Sequence, residues 1–318
     1  MNVYEKELLN ANKEYEKKNY KEALLIYDNL FYKISDPSIK LIKKYAICLQ
    51  KKLRYQESIK LIKLVLEKKP RDTDMHLNHC ICLGKQNKHL EALEVYERIL
   101  KIDDKFRIQI GYYAYLLGRT GNNEKAEYYY KLALEYEPEN LWYISHYAFF
   151  LQRLKRYSEA EMYYKKAIEN DSENTWLIKR YAFFLYETSG KDSAYLYYDE
   201  LIKKDPLNYS YYINAAELAL IVDDEDIAFK FLCNAHELHK PLVIEVVSLF
   251  YLGVYFICKK EYEKLDDLIK QLSILRKENT SYIDRDLTDL DTYINDNFDH
   301  SQSEMYITIK IIMSTGVK

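Results

Sequence analysis

The sequence predicts an all-α repeat array, and three observations predict it. A motif returns in phase, since Tyr147-Ala148-Phe149-Phe150-Leu151 recurs 34 residues later as Tyr181-Ala182-Phe183-Phe184-Leu185. Small residues recur at two fixed places within that interval. Helix-forming residues abound while glycine (7) and proline (5) are scarce in 318 residues, which suits helices joined by short turns. Self-similarity at this period marks a helix-turn-helix unit that cannot bury its apolar face alone and must stack on a neighbour.

Aligning the alanine of each second helix gives eight repeats, beginning near Tyr4, Ile39, Thr73, Arg107, Leu141, Thr175, Tyr209 and Val246, so residues 1–279 form one array. Position 8 of the repeat is always small: Ala11, Ala46, Cys80, Ala114, Ala148, Ala182, Ala216, Gly253. Position 20 reads Ala23, Ser58, Ala92, Ala126, Ala160, Ala194, Ala228 and then Leu265. Small side chains at both places let paired helices approach closely. Position 24 supplies a large partner as Tyr27, Ile62, Tyr96, Tyr130, Tyr164, Tyr198, Leu232 and Ile269. Pro70, Pro138 and Pro206 close repeats two, four and six, where a residue without an N–H ends a helix at no loss of a hydrogen bond. The spacing before the eighth repeat is longer, which predicts a small insertion around His239 to Leu242. Asn10 and Glu14 in the first repeat and Leu265 in the last break the pattern, as capping repeats with wet outer faces do.

Beyond the array, residues 280–298 place Ile283, Leu287, Leu290, Tyr293 and Ile294 at helical spacing with acids opposite, which predicts a capping helix. In residues 299–318 the period changes: Ile307, Ile309 and Ile311 alternate with Thr308 and Lys310, which predicts a flexible or strand-like tail.

This pattern resembles the tetratricopeptide repeat family over residues 4 to 279, most closely from Arg107 to Asn208, through the small residues at positions 8 and 20, the aromatic at 24 and the proline at 32. The resemblance implies a right-handed superhelical solenoid of about eight repeats. It also implies that positions 2, 5, 6, 9, 12 and 13 of the first helices line a concave, ligand-facing groove. Those positions hold Tyr112, Tyr115, Arg119, Trp142, His146, Phe149, Arg153, Trp176, Lys179, Arg180, Phe183 and Tyr186, an aromatic and basic surface. Rigid rings and guanidinium groups are the composition of binding hot spots, so the implied partner is a protein or peptide with apolar and acidic residues. The aromatic stripe at position 9 has a second placement, packed between first helices. Lys40, Lys43, Lys44 and Lys51 give repeat two a basic inner face. Members of the family that clamp a terminal carboxylate use Lys and Asn, Asn, and Lys and Arg in three successive repeats. Here Lys43 and Asn78 match, while Ile47, Ile108 and Tyr112 do not, so that ligand is disfavoured.

The net charge of -3 argues against wholesale coating of nucleic acid. No leader-like segment opens the chain, no run reaches about 18 apolar residues, and five scattered cysteines suit reduced thiols, so a cytoplasmic protein without a membrane span is expected. His76, His79, Cys80, Cys82 and His89 have metal-ligand chemistry but fall largely on packing positions, so no metal is expected. No phosphate loop, cofactor motif or nucleophile and base arrangement is present, and no catalysis is expected. The function read from the sequence is a non-enzymatic scaffold or adaptor that holds a partner segment in the aromatic groove. The alternatives are a sensor of a short free peptide and, second, single-stranded nucleic-acid binding.

Overall fold

The computed structural model describes residues 3–103, 109–238, 242–278, 283 and 287–315. Among the described residues there are eighteen α-helices, one short 3₁₀ turn and no β-strand, so the chain is an all-α helical-repeat fold. Each predicted repeat supplies two consecutive helices. They are α1 (Val3–Glu16) and α2 (Tyr20–Leu30); α3 (Ile39–Lys51) and α4 (Tyr55–Lys68); α5 (Thr73–Lys85) and α6 (His89–Ile102); α7 (Ile110–Arg119) and α8 (Asn123–Tyr136). Then come α9 (Leu141–Arg153) and α10 (Tyr157–Asn170); α11 (Thr175–Ser189) and α12 (Lys191–Lys204); α13 (Tyr209–Ile221) and α14 (Glu225–Glu237); α15 (Leu242–Cys258) and α16 (Tyr262–Glu278). Two more helices follow, α17 (Thr288–Asn297) and α18 (His300–Thr315). The chain divides into an N-terminal body, Met1–Phe150, and a C-terminal body, Leu151–Lys318.

Local chemistry repeats with the helices. Several first helices begin on a capping side chain whose oxygen accepts from an early backbone N–H: Ser38 from Leu41 at 3.3 Å, Asp72 from Met75 at 3.2 Å, Asn140 from Trp142 at 3.1 Å and Asn174 from Leu177 at 3.1 Å. The turn inside a repeat closes on a residue in the left-handed region. Lys18, Leu53, Asn87, Gly121, Lys155, Asp223 and Lys260 all have positive φ. Around Lys155 the amides turn back on the helix, Lys155 N donating to Gln152 O at 2.8 Å and Arg156 N to Leu151 O at 3.0 Å, which satisfies the last carbonyls of α9. Repeat six departs: α11 runs to Ser189, and Gly190 alone, at φ 87°, joins it to α12.

The predicted small residues are the packing seams. Ala11, Ala46, Cys80, Ala114, Ala148, Ala182 and Ala216 are buried, as are Ala23, Ser58, Ala92, Ala126, Ala160, Ala194 and Ala228. Where a polar atom enters the seam it finds a carbonyl, Ser58 Oγ donating to Ala46 O at 2.8 Å and Cys80 Sγ to Ala92 O at 3.1 Å. Adjacent repeats are joined by tyrosine pairs, position 24 of one meeting position 7 of the next. Ring centroids lie 5.8 Å apart for Tyr27 and Tyr45, 4.8 Å for Tyr96 and Tyr113, 5.3 Å for Tyr130 and Tyr147, and 5.8 Å for Tyr164 and Tyr181. Such pairs add about 0.5–1.5 kcal/mol beyond their burial. They are one reason a chain of this length carries 34 tyrosines.

The end of the chain differs from its expectation. Residues 300–315 are the helix α18, not a strand-like tail. Tyr306, Ile309 and Met313 are buried while Ile307 and Ile311 are 52% and 54% exposed, so one helical face is covered by α15 and α16. Arg276 Nε of α16 donates to Ile312 O at 3.1 Å, and Gln302 Nε2 to Ile257 O at 3.2 Å. Burial of that face overrides the strand preference of the β-branched run. In the capping segment Ile283, Leu287, Leu290 and Ile294 are buried in the core of the C-terminal body. The insertion expected at His239 to Leu242 lies mostly outside the described residues.

Candidate functional site

In the N-terminal body, Tyr112, Tyr115, Trp142 and His146 come together. They line a cleft of about 400 Å³ with Ile81, Gly84, Lys85, Gln109, Asn140 and Tyr143. Three helices build it: α5 brings Ile81, Gly84 and Lys85, α7 brings Tyr112 and Tyr115, and α9 brings Trp142, Tyr143 and His146. Asn140 sets the start of α9 by accepting from Trp142 N at 3.1 Å and Tyr143 N at 3.2 Å, while its Nδ2 donates to Glu137 at 2.7 Å.

The rings brace one another. His146 stacks on Trp142 with centroids 3.8 Å apart and planes 17° from parallel, and its Nδ1 lies 2.9 Å from Trp142 O, which fixes the imidazole on the indole. Tyr112 and Tyr115 are near parallel at 5.7 Å, and Trp142 is tilted 52° to Tyr112 and 71° to Tyr115. His89 of α6 meets the edge of Tyr115 at 5.7 Å. Both faces and edges of aromatic rings are therefore held in fixed orientations, which lowers the entropy cost of receiving another flat group.

Two glycines make the room. A Cβ at Gly84 would lie 1.9 Å from the Tyr112 hydroxyl, and one at Gly111 would lie 2.4 Å from the Tyr143 ring. Burial holds the Tyr112 phenol well above its usual range, so it is neutral. Lys85 is exposed at the rim. Among the described residues that line the cleft there is no carboxylate, so its fixed charge is positive.

The remaining predicted residues are placed differently. Arg119 and Phe149 are half-buried and lie outside the cleft lining. In the C-terminal body Arg153 and Tyr186 are exposed, Trp176 is half-buried, and Phe183 is half-buried against the core. Lys179 and Arg180, expected to face a ligand, are instead buried among the chain's own acids. Lys179 Nζ is 2.7 Å from Glu217 Oε1 and 3.4 Å from Asp289 Oδ2, and Arg180 is 2.9 Å from Asp289 Oδ1 and stands 5.7 Å over the Trp176 ring. Tyr251 donates to the other oxygen of Glu217 at 2.7 Å. Burying such charges is tolerable only when they are paired, and α17 supplies part of the pairing. Of the basic patch, Lys40 and Lys51 are exposed, whereas Lys43 pairs with Asp72 and Lys44 with Glu16 at 2.8 Å.

Sequence reasoning missed Gly84, Lys85, Gln109, Asn140 and Tyr143 as parts of the cleft, and Gly111 as the position that admits the Tyr143 ring. The signal was present in Gly84 and Gly111 themselves, two glycines inside helices where glycine is costly unless something must approach closely. It also missed Asp289, since nothing in the sequence links an acid to a lysine and an arginine more than a hundred residues away. The histidine and cysteine cluster is packing: Cys80 and Cys82 are fully buried, and burial pulls the His79 pKa down to about 4. Among the described residues there is no group of three metal-ligating side chains, and no helix is long and apolar enough to cross a membrane.

Solved structures resemble this arrangement of paired helices over most of the chain. A tetratricopeptide repeat protein from Parabacteroides merdae shares 16% identity with a TM-score of 0.52, over 86% of this chain and 98% of that one. The fold is the tetratricopeptide repeat. The Cut9–Hcn1 hetero-tetramer of the APC/C contains a chain 14% identical, matched over 95% of this chain and 55% of its own, with a TM-score of 0.50. PilW, a type IV pilus biogenesis factor, is 14% identical over 64% of this chain and 94% of its own, also with a TM-score of 0.50. No family model and no curated protein matches the sequence. In this tetratricopeptide-repeat fold, the cleft of the N-terminal body lies among the first helices of repeats three, four and five; Gln109, Asn140 and Tyr143 line it from positions that the sequence resemblance did not mark.

Proposed function

We propose that the chain is a protein-interaction scaffold whose N-terminal body holds a segment of a partner protein in the cleft between α5, α7 and α9. One observation carries this reading: Tyr112, Tyr115, Trp142 and His146 stack into an open, braced, aromatic cleft of about 400 Å³ with a lysine at its rim. Aromatic anchors in a preformed concavity are where binding energy concentrates in protein interfaces. The fold alone does not specify a function, since the same scaffold serves unrelated processes. That one structure of this fold is a hetero-tetramer is in keeping with a role in assembly.

The test is a quantitative pull-down from native lysate with the wild type and a Tyr115→Ala, Trp142→Ala variant, with circular dichroism and melting to show that the variant is folded. A partner retained by the wild type and lost by the variant is the expected result. The same partners on both proteins would overturn the assignment of the cleft.

A further inference from the structure

The chemistry of the cleft narrows what can enter it. At about 400 Å³ the cleft takes in side chains and not a length of α-helix, whose diameter with side chains is about 10–12 Å. Its walls are ring faces and edges at fixed angles, Trp142, His146 and Tyr115 in mutual contact with centroids 3.8, 5.7 and 6.2 Å apart, and a further ring entering the cleft meets them in stacked or edge contact. Its rim carries Lys85 and, among the described lining residues, no acid. A cationic partner would be repelled there, and a carboxylate next to the inserted ring would meet the Lys85 ammonium at the exposed rim.

The C-terminal body shows the same chemistry already satisfied from within. The corresponding positions in repeat six hold Trp176, Lys179 and Arg180; Lys179 and Arg180 receive the carboxylate of Asp289 from α17, and the Arg180 guanidinium stands over the Trp176 ring. There the chain presents an aromatic group and cations, and an acid on a short helix answers them.

Resting on the scaffold reading above, we propose that the cleft of the N-terminal body recognises an extended acidic peptide that inserts one aromatic side chain against Trp142, His146 and Tyr115 and sets a neighbouring carboxylate on Lys85. Charge complementarity selects the acidic flank, and the ring walls select an aromatic over an aliphatic anchor.

The full chain carrying Trp176→Phe leaves Trp142 as the one tryptophan, so its fluorescence reports the cleft alone. The probes are blocked pentapeptides Glu-Glu-Phe-Glu-Glu, Glu-Glu-Leu-Glu-Glu and Lys-Lys-Phe-Lys-Lys, together with a short oligo(dT). The acidic phenylalanine peptide is expected to give a saturable change at least tenfold tighter than either other peptide. Lys85→Glu, at an exposed position and shown to be folded by circular dichroism and melting, is expected to weaken it at least tenfold and to bring in the lysine peptide. Equal binding of the charge-reversed peptide, an unchanged affinity in Lys85→Glu, or a response to oligo(dT) alone overturns the proposal. If no peptide binds while the lysate partner is still lost on removing Tyr115 and Trp142, this specificity fails and the scaffold reading stands. If both fail, the cleft is not a binding site.

Discussion

At the scale of single residues, the most regular feature of the chain is one that side-chain chemistry hides. The turn inside a repeat closes on Lys18, Leu53, Asn87, Gly121, Lys155, Asp223 or Lys260, residues that share positive φ and little else. A non-glycine residue pays about 1–2 kcal/mol for that conformation, less for asparagine and aspartate. Lys155→Gly should therefore stabilise the protein by about 0.5–1 kcal/mol after the extra freedom of the unfolded chain is counted. Gly121→Ala should cost about 1 kcal/mol, and purely through the backbone, because nothing lies within 4 Å of where the new Cβ would sit. Urea midpoints at an unchanged slope read both. Backbone geometry of this kind was not legible in the sequence, since lysine, leucine and glycine in one register give no common signal, whereas the small residues at positions 8 and 20 were legible because packing admits only one size.

His79 is a second residue with a measurable consequence. It takes position 7, where Tyr45, Tyr113, Tyr147 and Tyr181 stand in other repeats, and burial pulls its pKa from 6.5 to about 4. The unfolded chain thus binds a proton between those values that the folded chain refuses. Stability is unaffected above pH 6.5 and falls progressively as pH drops from 6.5 to about 4. His79→Gln should flatten that part of the stability profile while leaving it unchanged above pH 7, which denaturation across pH 4–8 will show.

At the scale of elements, the helices were legible and their long-range partners were not. Periodicity placed first and second helices because burying one face dictates spacing; of the capping helix it predicted over 280–298, α17 takes Thr288–Asn297, with Leu290 and Ile294 buried on it and Ile283 and Leu287 buried ahead of it. It misread α18, where the isoleucine alternation suggested a strand although the burying contacts with α15 and α16 require helical spacing of Tyr306, Ile309 and Met313. It also placed Lys179 and Arg180 toward a ligand because composition cannot tell an open cation from one answered by Asp289 and Glu217. That buried network joins α11, α13, α15 and α17. Glu217→Ala should cost about 3–5 kcal/mol, since it leaves the buried Lys179 ammonium with only the more distant Asp289 carboxylate and takes the acceptor from the Tyr251 hydroxyl. The double variant Lys179→Met, Glu217→Leu should recover most of that loss, because replacing a buried pair by apolar groups removes two desolvation penalties together. If the double variant is as unstable as the single one, the network contributes more than the pairing of its charges.

For the whole molecule, energetics of a repeat fold come mainly from each repeat and its nearest neighbours, so damage at one end need not reach the other. The chain carries its own local reporters, Trp142 in the N-terminal body and Trp176 in the C-terminal body, and holds only two tryptophans. Removing residues 298–318 takes away α18 and uncovers the face of α15 and α16 on which Tyr306, Ile309 and Met313 rest. Each fully buried apolar side chain of that size contributes about 1.5–3 kcal/mol, so the C-terminal body should lose several kcal/mol. In a Trp142→Phe background the urea midpoint reported by Trp176 should fall steeply on truncation. In a Trp176→Phe background the midpoint reported by Trp142 should hold, because the described residues that line the aromatic cleft around it lie on α5, α7 and α9 and at their starts. Coincident loss of both transitions would mean that the two bodies unfold as one cooperative block, and the cleft would then depend on the C-terminal helices as much as on its own.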